Sequence, residues 1–226
     1  MPGFCGRYPD VEVPVVTGYS YKKSRRGWVR VELDDGSYVS LRRDVFGEEG
    51  YQTNEEVPWD RLRDAVLESE TRHAKAVAYR FLSERPRTVK EMTDRLAKED
   101  LGTKSIEAVV ADLTRSGYLD DEQFARLWAE SRANNRPRGR RAISAELRKL
   151  GVARETIEYV LDSYYPDDGD LVRKVAVRRA ESLHHLDRAT FRRRLAGYLS
   201  RRGFDYGTVA PLLDELWEES PDSEFD

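Results

Sequence analysis

The sequence predicts a mainly α protein: tandem three-helix repeats, three units in a curved elongated array, with a small N-terminal β-hairpin or sheet. Three observations carry this expectation. Apolar residues recur at the i, i+3, i+4, i+7 spacing of one helical face in Ile106-Val109-Val110-Leu113, Ile157-Val160-Leu161-Tyr164 and Val209-Leu212-Leu213-Leu216, at offsets of 51 and 52 residues. The helices ahead of these quartets align as well: Leu96, Leu147 and Leu199 are equivalent, as are Leu101, Val152 and Phe204. Upstream, Val15 to Phe46 alternates apolar with polar residues, as a half-buried strand does.

Each element has a local reason. In GWVRVELDDGSYVSL, a three-residue loop at Asp34-Asp35-Gly36 pairs Val31 with Val39 and Val29 with Leu41, and puts glycine where a left-handed backbone is needed. A two-residue loop would send Val39 and Leu41 to the opposite face. A first strand near Val15 to Tyr21 joins this hairpin through the basic KKSRRG loop. So small a sheet is marginal alone and should lean on the helices that follow. From Pro58 onward the pattern is helical to its end. Pro58 suits a first turn, Trp59, Leu62, Ala65 and Val66 form a stripe, and Thr88-Val89-Lys90-Glu91 is a capping box that turns Met92 and Leu96 inward. Gly151 and Gly203 stand where helices should end, and Pro211 should make the last helix kink or start late. The expected divisions are an N-terminal hairpin over 1–57, repeat 1 with its lead-in helix over 58–119, repeat 2 over 120–166, repeat 3 over 167–219 and an acidic tail over 220–226.

Asp120 and Asp121 pose a choice between a metal-binding carboxylate pair and helix punctuation. The repeat period places them between the last helix of repeat 1 and the first of repeat 2. There an aspartate accepts free backbone N–H groups, with Gln123 making a box-like arrangement, Gly117 the left-handed stop, and Tyr118 and Leu119 packing the junction. No further carboxylates or histidines cluster with them, so capping is the expectation; a carboxylate-dependent nuclease using Asp120, Asp121 and Glu122 is the remote alternative.

Composition narrows the function. Of 226 residues 36% are charged, above the roughly 25% of an ordinary chain, and 39% are hydrophobic, which suits thin layers more than one deep core. No apolar run is long enough to span a membrane, and the start of the chain lacks the apolar segment of a secretory signal. Cys5 is the only cysteine, so no intrachain disulfide forms and a reducing cytoplasm is expected. No HExxH, CxxC, GxSxG or GxxxxGK[ST] occurs. His73 is isolated, and His184-His185 should end the first helix of repeat 3. Glu48-Glu49 and Glu55-Glu56 read as solvated loops. The residues nominate no catalytic group, cofactor or metal site, and a non-enzymatic monomer is expected.

The net charge of −3 hides an asymmetry. Glu130 to Arg202 carries 18 basic against 10 acidic residues, whereas Gly203 to Asp226 carries eight acids and no base. Arginine supplies 31 of the 39 cations and suits bidentate phosphate or carboxylate contacts. The candidate binding residues are Arg136, Arg138, Arg140, Arg141 and Lys149 in repeat 2, and Arg173, Lys174, Arg178, Arg179, Arg192, Arg193 and Arg194 in repeat 3. Pro137 and Gly139 shape a loop whose amides could face an anion. The expected partner is a polyanion or an acidic protein groove, and the acidic end of the chain could fold against the basic block.

The segment RTVKEMTDRL…IEAVVADLTRSGYLDDEQFARLWAESR…RPRGRRAISAELRKLGVARETIEYVL resembles RecX, the bacterial regulator of the RecA recombinase, strongly from about Arg72 to Tyr164 and more weakly in the third repeat. The specific parts are the GYLDD-x-x-FA junction, the RPRG loop and EL-x-x-x-GV. An extra leucine, Leu150, stands between Lys149 and Gly151 where the family pattern has lysine directly before glycine. The resemblance implies a protein that docks in the groove of the RecA–DNA filament, contacts single- and double-stranded DNA, and modulates, most often inhibits, strand exchange, ATP hydrolysis and RecA-assisted repressor cleavage. That places it in homologous recombination, DNA repair and the SOS response. A stand-alone nucleic-acid-binding module without a recombinase partner is the alternative.

Overall fold

The structure is a computed structural model that describes residues 13–21, 26–165 and 167–218. Cys5, the Lys22 to Arg25 part of the basic turn and the acidic stretch from 219 onward lie outside the described residues. Three strands, β1 (Val16–Tyr21), β2 (Trp28–Leu33) and β3 (Tyr38–Arg42), precede ten helices among the described residues: α1 (Arg43–Glu49), α2 (Trp59–Leu82), α3 (Val89–Leu96), α4 (Thr103–Arg115), α5 (Asp121–Asn135), α6 (Arg140–Lys149), α7 (Arg154–Tyr164), α8 (Asp168–Ala180), α9 (Arg188–Arg201) and α10 (Tyr206–Glu218). They form two compact units, the first reaching Leu119 and the second starting at Asp120.

In the first unit the sheet is antiparallel in the order β1-β2-β3. Val31 pairs with Val39 and Val29 with Leu41, the Leu33 amide donates to the Ser37 carbonyl at 3.0 Å, and Gly36 adopts φ 79°. The three-residue loop is therefore the one formed. Val31, Leu33, Val39 and Leu41 bury one face against Leu62 and Ala65 of α2, as a sheet too small to stand alone requires. The strand pattern expected to run to Phe46 stops at Arg42, and α1 begins at Arg43. Leu41 and Val45 are four apart, a spacing compatible with either period, so alternation alone could not mark the change. Glu48 and Glu49 consequently sit on α1, bonded to Arg72 at 2.7 Å and Arg61 at 2.9 Å, rather than in a loop. Glu55 and Glu56 lie in an extended segment along β1, where the Glu55 carbonyl accepts from the Val16 amide.

Helix α2, about 36 Å long, serves two cores. Its first half covers the sheet, and its second half, through Ala74, Val77 and Ala78, packs with Met92, Leu96, Val109 and Leu113 of α3 and α4. Both bonds of the Thr88–Glu91 capping box are present at the start of α3. Buried Glu70 of α2 accepts from the Gly102 amide at 3.0 Å and from Ser105, which caps α4 from a neighbouring helix.

Two three-helix sets build the second unit around one core of Phe124, Ile143, Leu147, Ile157, Val160, Val172, Phe191, Leu195, Leu199, Val209 and Leu213. The repeat equivalences hold: Leu147 and Leu199 are fully buried, as are Val152 and Phe204 nearly so. One quartet member departs. Tyr164 is 39% exposed while Tyr165 is buried to 6%, because α7 ends at Tyr164 and the chain turns the next side chain inward. Helix α10 runs unbroken through Pro211 and does not start late. The carbonyl that proline leaves without a donor belongs to Gly207, which is exposed to water and has no side chain to crowd the ring.

Asp120 is a cap: its carboxylate accepts from the Gln123 amide at 2.9 Å, with the first turn of α5 beyond it. Gly117 takes φ 73° and Leu119 is buried. Tyr118, expected to pack the junction, is instead 59% exposed and meets Tyr79 edge-on at 5.6 Å. Helix α8 stops at Ala180, so His184 and His185 lie in the turn after it, with His184 stacked 5.7 Å from Phe191.

Candidate nucleic-acid and filament interface

The RPRG loop joins α5 to α6, and the arginines in it take different roles. Glu146 on α6 receives three donors: Trp128 Nε1 at 2.8 Å, Arg132 Nε at 2.8 Å and Arg138 at 3.1 Å. Arg138 is thus held by an internal carboxylate, and its carbonyl accepts from the Tyr165 hydroxyl at 2.6 Å. Burial pushes the Tyr165 phenol up to about 12, so it stays a donor. Arg140 donates to the Leu161 carbonyl at 2.8 Å and to Asp162, closing the end of α7. Its backbone amide, at the start of α6, meets the Asp168 carboxylate at 3.1 Å. The anion facing these amides is therefore a residue of the same chain. Half-burial raises the Asp168 pKa, and the bond from the Arg140 amide works against that rise.

The glycine of the loop has its own explanation. Gly139 donates to the Arg202 carbonyl at 2.9 Å, and a Cβ there would fall 2.2 Å from the Gly203 carbonyl oxygen. Arg202 reaches back to the Pro137 carbonyl at 3.2 Å. The loop of repeat 2 and the α9–α10 turn of repeat 3 thus clasp each other backbone to backbone.

The repeat 3 cations divide similarly. Arg173 on α8 contacts both Glu215 oxygens, at 2.8 and 2.9 Å, and Arg192 on α9 pairs with Asp214, which Arg188 also reaches at 3.3 Å. These acids belong to α10, so part of the acidic end of the chain does lie on the basic block. Arg141 is mostly exposed and meets Asp205 only at 3.5 Å. Arg179 lies 5.3 Å over the Tyr198 ring. Arg136, Lys149, Lys174, Arg178, Arg193 and Arg194 are exposed and have no carboxylate partner among the described residues.

Some of these meet in one groove of about 1020 Å³, bounded by the end of α5, the loop, α8 and α9. Arg136, Arg173, Lys174, Arg178 and Arg202 line it, against one carboxylate, Asp170, with the Asn134 and Asn135 amides at the rim. Low-dielectric walls around one sign of charge concentrate potential, so the groove is suited to a phosphate chain or a run of carboxylates. A second groove of about 640 Å³, between α6, α7 and the end of α9, gathers Arg140, Arg141, Arg148 and Arg201 but also Glu158 and Asp162. Arg138, Lys149, Arg179, Arg192, Arg193 and Arg194 line neither. Sequence reasoning missed Arg202 and Tyr198 in the first groove; the signal was available, since they lie one turn apart at the end of α9, just before the helix-stopping Gly203. No group of three His, Cys, Asp or Glu side chains able to hold a metal occurs among the described residues, and none of their helices is long and apolar enough to cross a membrane.

Comparison with known proteins agrees with this architecture. Family models for the RecX first, second and third three-helix domains match residues 74–113, 120–161 and 167–213. A protein named regulatory protein RecX from Thermobifida fusca is 34% identical over 154 residues, 67% of this chain and 83% of that one. One of the same name from Clostridium acetobutylicum is 25% identical over 215 residues, covering 93% of this chain and all of the relative. A crystal structure of regulatory protein RecX superposes with TM-score 0.63 at 17% identity over 89% of this chain and 99% of its own, a likeness of fold. With three domain models in register on its three helical repeats and relatives of this identity, the chain belongs to the RecX family.

Proposed function

We propose that this protein binds the RecA–DNA filament through the basic groove of its second unit and lowers recombinase, ATPase and coprotease activity. Family membership supports the regulatory role, and the groove supports a polyanionic partner. The observation that carries the reading is the concentration of Arg136, Lys174 and Arg178, without carboxylate partners among the described residues, in a groove that offers a ligand one acid. Such exposed cations gain by meeting phosphates, with release of counterions. Arg138 and Arg140 act behind the groove, holding the loop that carries Arg136.

The test is a RecA strand-exchange reaction with this protein added at substoichiometric ratios. Inhibition that disappears in an Arg136→Glu, Lys174→Glu, Arg178→Glu variant of unchanged helicity supports the reading. Full inhibition by that variant excludes the groove. If the protein binds bare single-stranded and duplex DNA but leaves RecA filaments unaffected and is not retained by them, it is a nucleic-acid-binding module without a recombinase partner.

A further inference from the structure

The first unit carries a feature that the groove does not use. Tyr19 and Tyr21 leave β1 on one face of the strand, 50% and 58% exposed, with ring centroids 6.4 Å apart and edge to face. They begin a row of rings: Tyr19 lies 5.1 Å from Phe46 of α1, and Phe46 lies 6.4 Å from buried Tyr51. The row anchors the two exposed rings from behind, so they are held in place rather than free to fold onto the surface. Arg43 sits 5.5 Å over Tyr21, and its amide donates to the Gly27 carbonyl at 2.8 Å, which brings exposed Arg26 to the same end of the sheet.

Charge at this end favours an anion. Arg26 and Arg43 have no carboxylate within salt-bridge distance among the described residues. The acids of α1 are already engaged: Asp44 by Arg42 at 2.9 Å, Glu48 by Arg72 at 2.7 Å and Glu49 by Arg61 at 2.9 Å. Along β1 the exposed rings alternate with Gly18 and Ser20, which face the other side of the strand where the Ser20 hydroxyl donates to Glu32 at 3.4 Å, and Arg43 is the charged side chain over Tyr21 itself. Isolated aromatic faces beside unneutralised cations are the pattern that stacks bases and holds the backbone between them.

We propose that this end of the sheet is a second nucleic-acid contact, where bases of a single strand stack on Tyr19 and Tyr21 while Arg26 and Arg43 hold the phosphates. The strand must be single. Bases in a duplex are covered by neighbours about 3.4 Å away on each side, whereas rings 6.4 Å apart can be met only by bases that have left the stack. The site is independent of the groove in the second unit and stands whatever partner that groove takes.

Photo-crosslinking of the full chain to an oligothymidylate carrying 5-iododeoxyuridine tests the contact directly, because the adduct should map to Tyr19 or Tyr21. Tyr19→Ala and Tyr21→Ala should each weaken binding of the oligonucleotide roughly fivefold or more. Tyr19→Phe and Tyr21→Phe should retain it, since the phenyl ring still stacks and still packs on Phe46. Duplex affinity and the salt slope should stay unchanged, because no phosphate contact is lost. Adducts found only elsewhere, or equal losses on single strand and duplex, overturn the proposal. So does undiminished single-strand binding by a folded alanine variant, and if those variants fail to fold, the crosslink in the unaltered chain still decides.

Discussion

The backbones of Gly139 and Gly203 come so close that a Cβ on Gly139 would lie 2.2 Å from the Gly203 carbonyl oxygen, while one on Gly203 would lie 2.4 Å from the Ala142 Cβ. Neither contact can be relieved by rotating a side chain. The glycine of the RPRG loop is therefore explained by packing between repeats, and the same contact carries Arg136 to the rim of the basic groove.

Gly139→Ala should accordingly destabilise the second unit by about 3 kcal/mol, the upper end of overpacking costs. Gly117→Ala makes the comparison. Gly117 needs a left-handed backbone, at φ 73°, which Gly139 at φ −70° does not, but it has nothing within 4 Å of its Cβ position, so about 1 kcal/mol is expected there. Urea unfolding followed by circular dichroism measures both, and a cost at Gly139 no larger than at Gly117 would contradict the clasp.

Reversing Arg136, Lys174 and Arg178 to glutamate should leave the fold intact and reduce the salt dependence of DNA binding by roughly 2 to 3 in slope, from the loss of three phosphate contacts. Reversing Arg138, Arg140 and Arg141, the choice the sequence suggests, would confuse binding with folding. Two of those three guanidinium groups hold Glu146, Asp162 and the Leu161 carbonyl. Fluorescence anisotropy over a salt series, with thermal melts of both triple variants, separates the two effects.

Asp168 should show an inverted pH response. Its folded-state pKa is raised by burial, so the folded state holds the proton more tightly than the unfolded one. Its contribution to stability is therefore greatest in acid and falls as pH rises through and just above the ordinary carboxylate range. Asp168→Asn should remove that pH dependence while keeping an acceptor for the Arg140 amide, and Asp168→Ala should cost about 1 kcal/mol at neutral pH through the lost cap. Melting temperatures from pH 3 to 7 test this, and a wild-type curve that rises across the same window relative to Asp168→Asn would refute it.

Deleting residues 219–226 removes four side-chain carboxylates that follow α10 in the sequence; within α10, Glu215 already engages Arg173 at the groove. If those acids compete with polyanions for the groove, DNA affinity should rise at low salt and the gain should vanish at high salt. Unchanged or weaker binding at low salt would mean the acids do not compete.

Local physics made much of this protein readable from its residues. The three quartets apart from Tyr164, the Thr88–Glu91 box, the Asp120 cap and the Asp34-Asp35-Gly36 turn depend on neighbours within a few positions, and formed as expected. Where two periods coincided, as from Leu41 to Val45, the helix α1 was invisible. Pro211 looked disruptive because its cost depends on whether the orphaned carbonyl faces water, which only packing decides.

The basic block shows the division most clearly. Its size, arginine content and place in the repeats follow from the sequence alone, since composition and periodicity are one-dimensional properties. Which arginines remain available was settled by tertiary structure. Arg138 and Arg140 found Glu146 and Asp162, Arg173 and Arg192 found the acids of α10, and Arg136, Lys174 and Arg178 were gathered with Arg202 around one groove. A guanidinium is committed or free according to which carboxylate the fold brings within about 3 Å of it, and carboxylates 8 to 42 residues away in the chain carry no signature of that meeting.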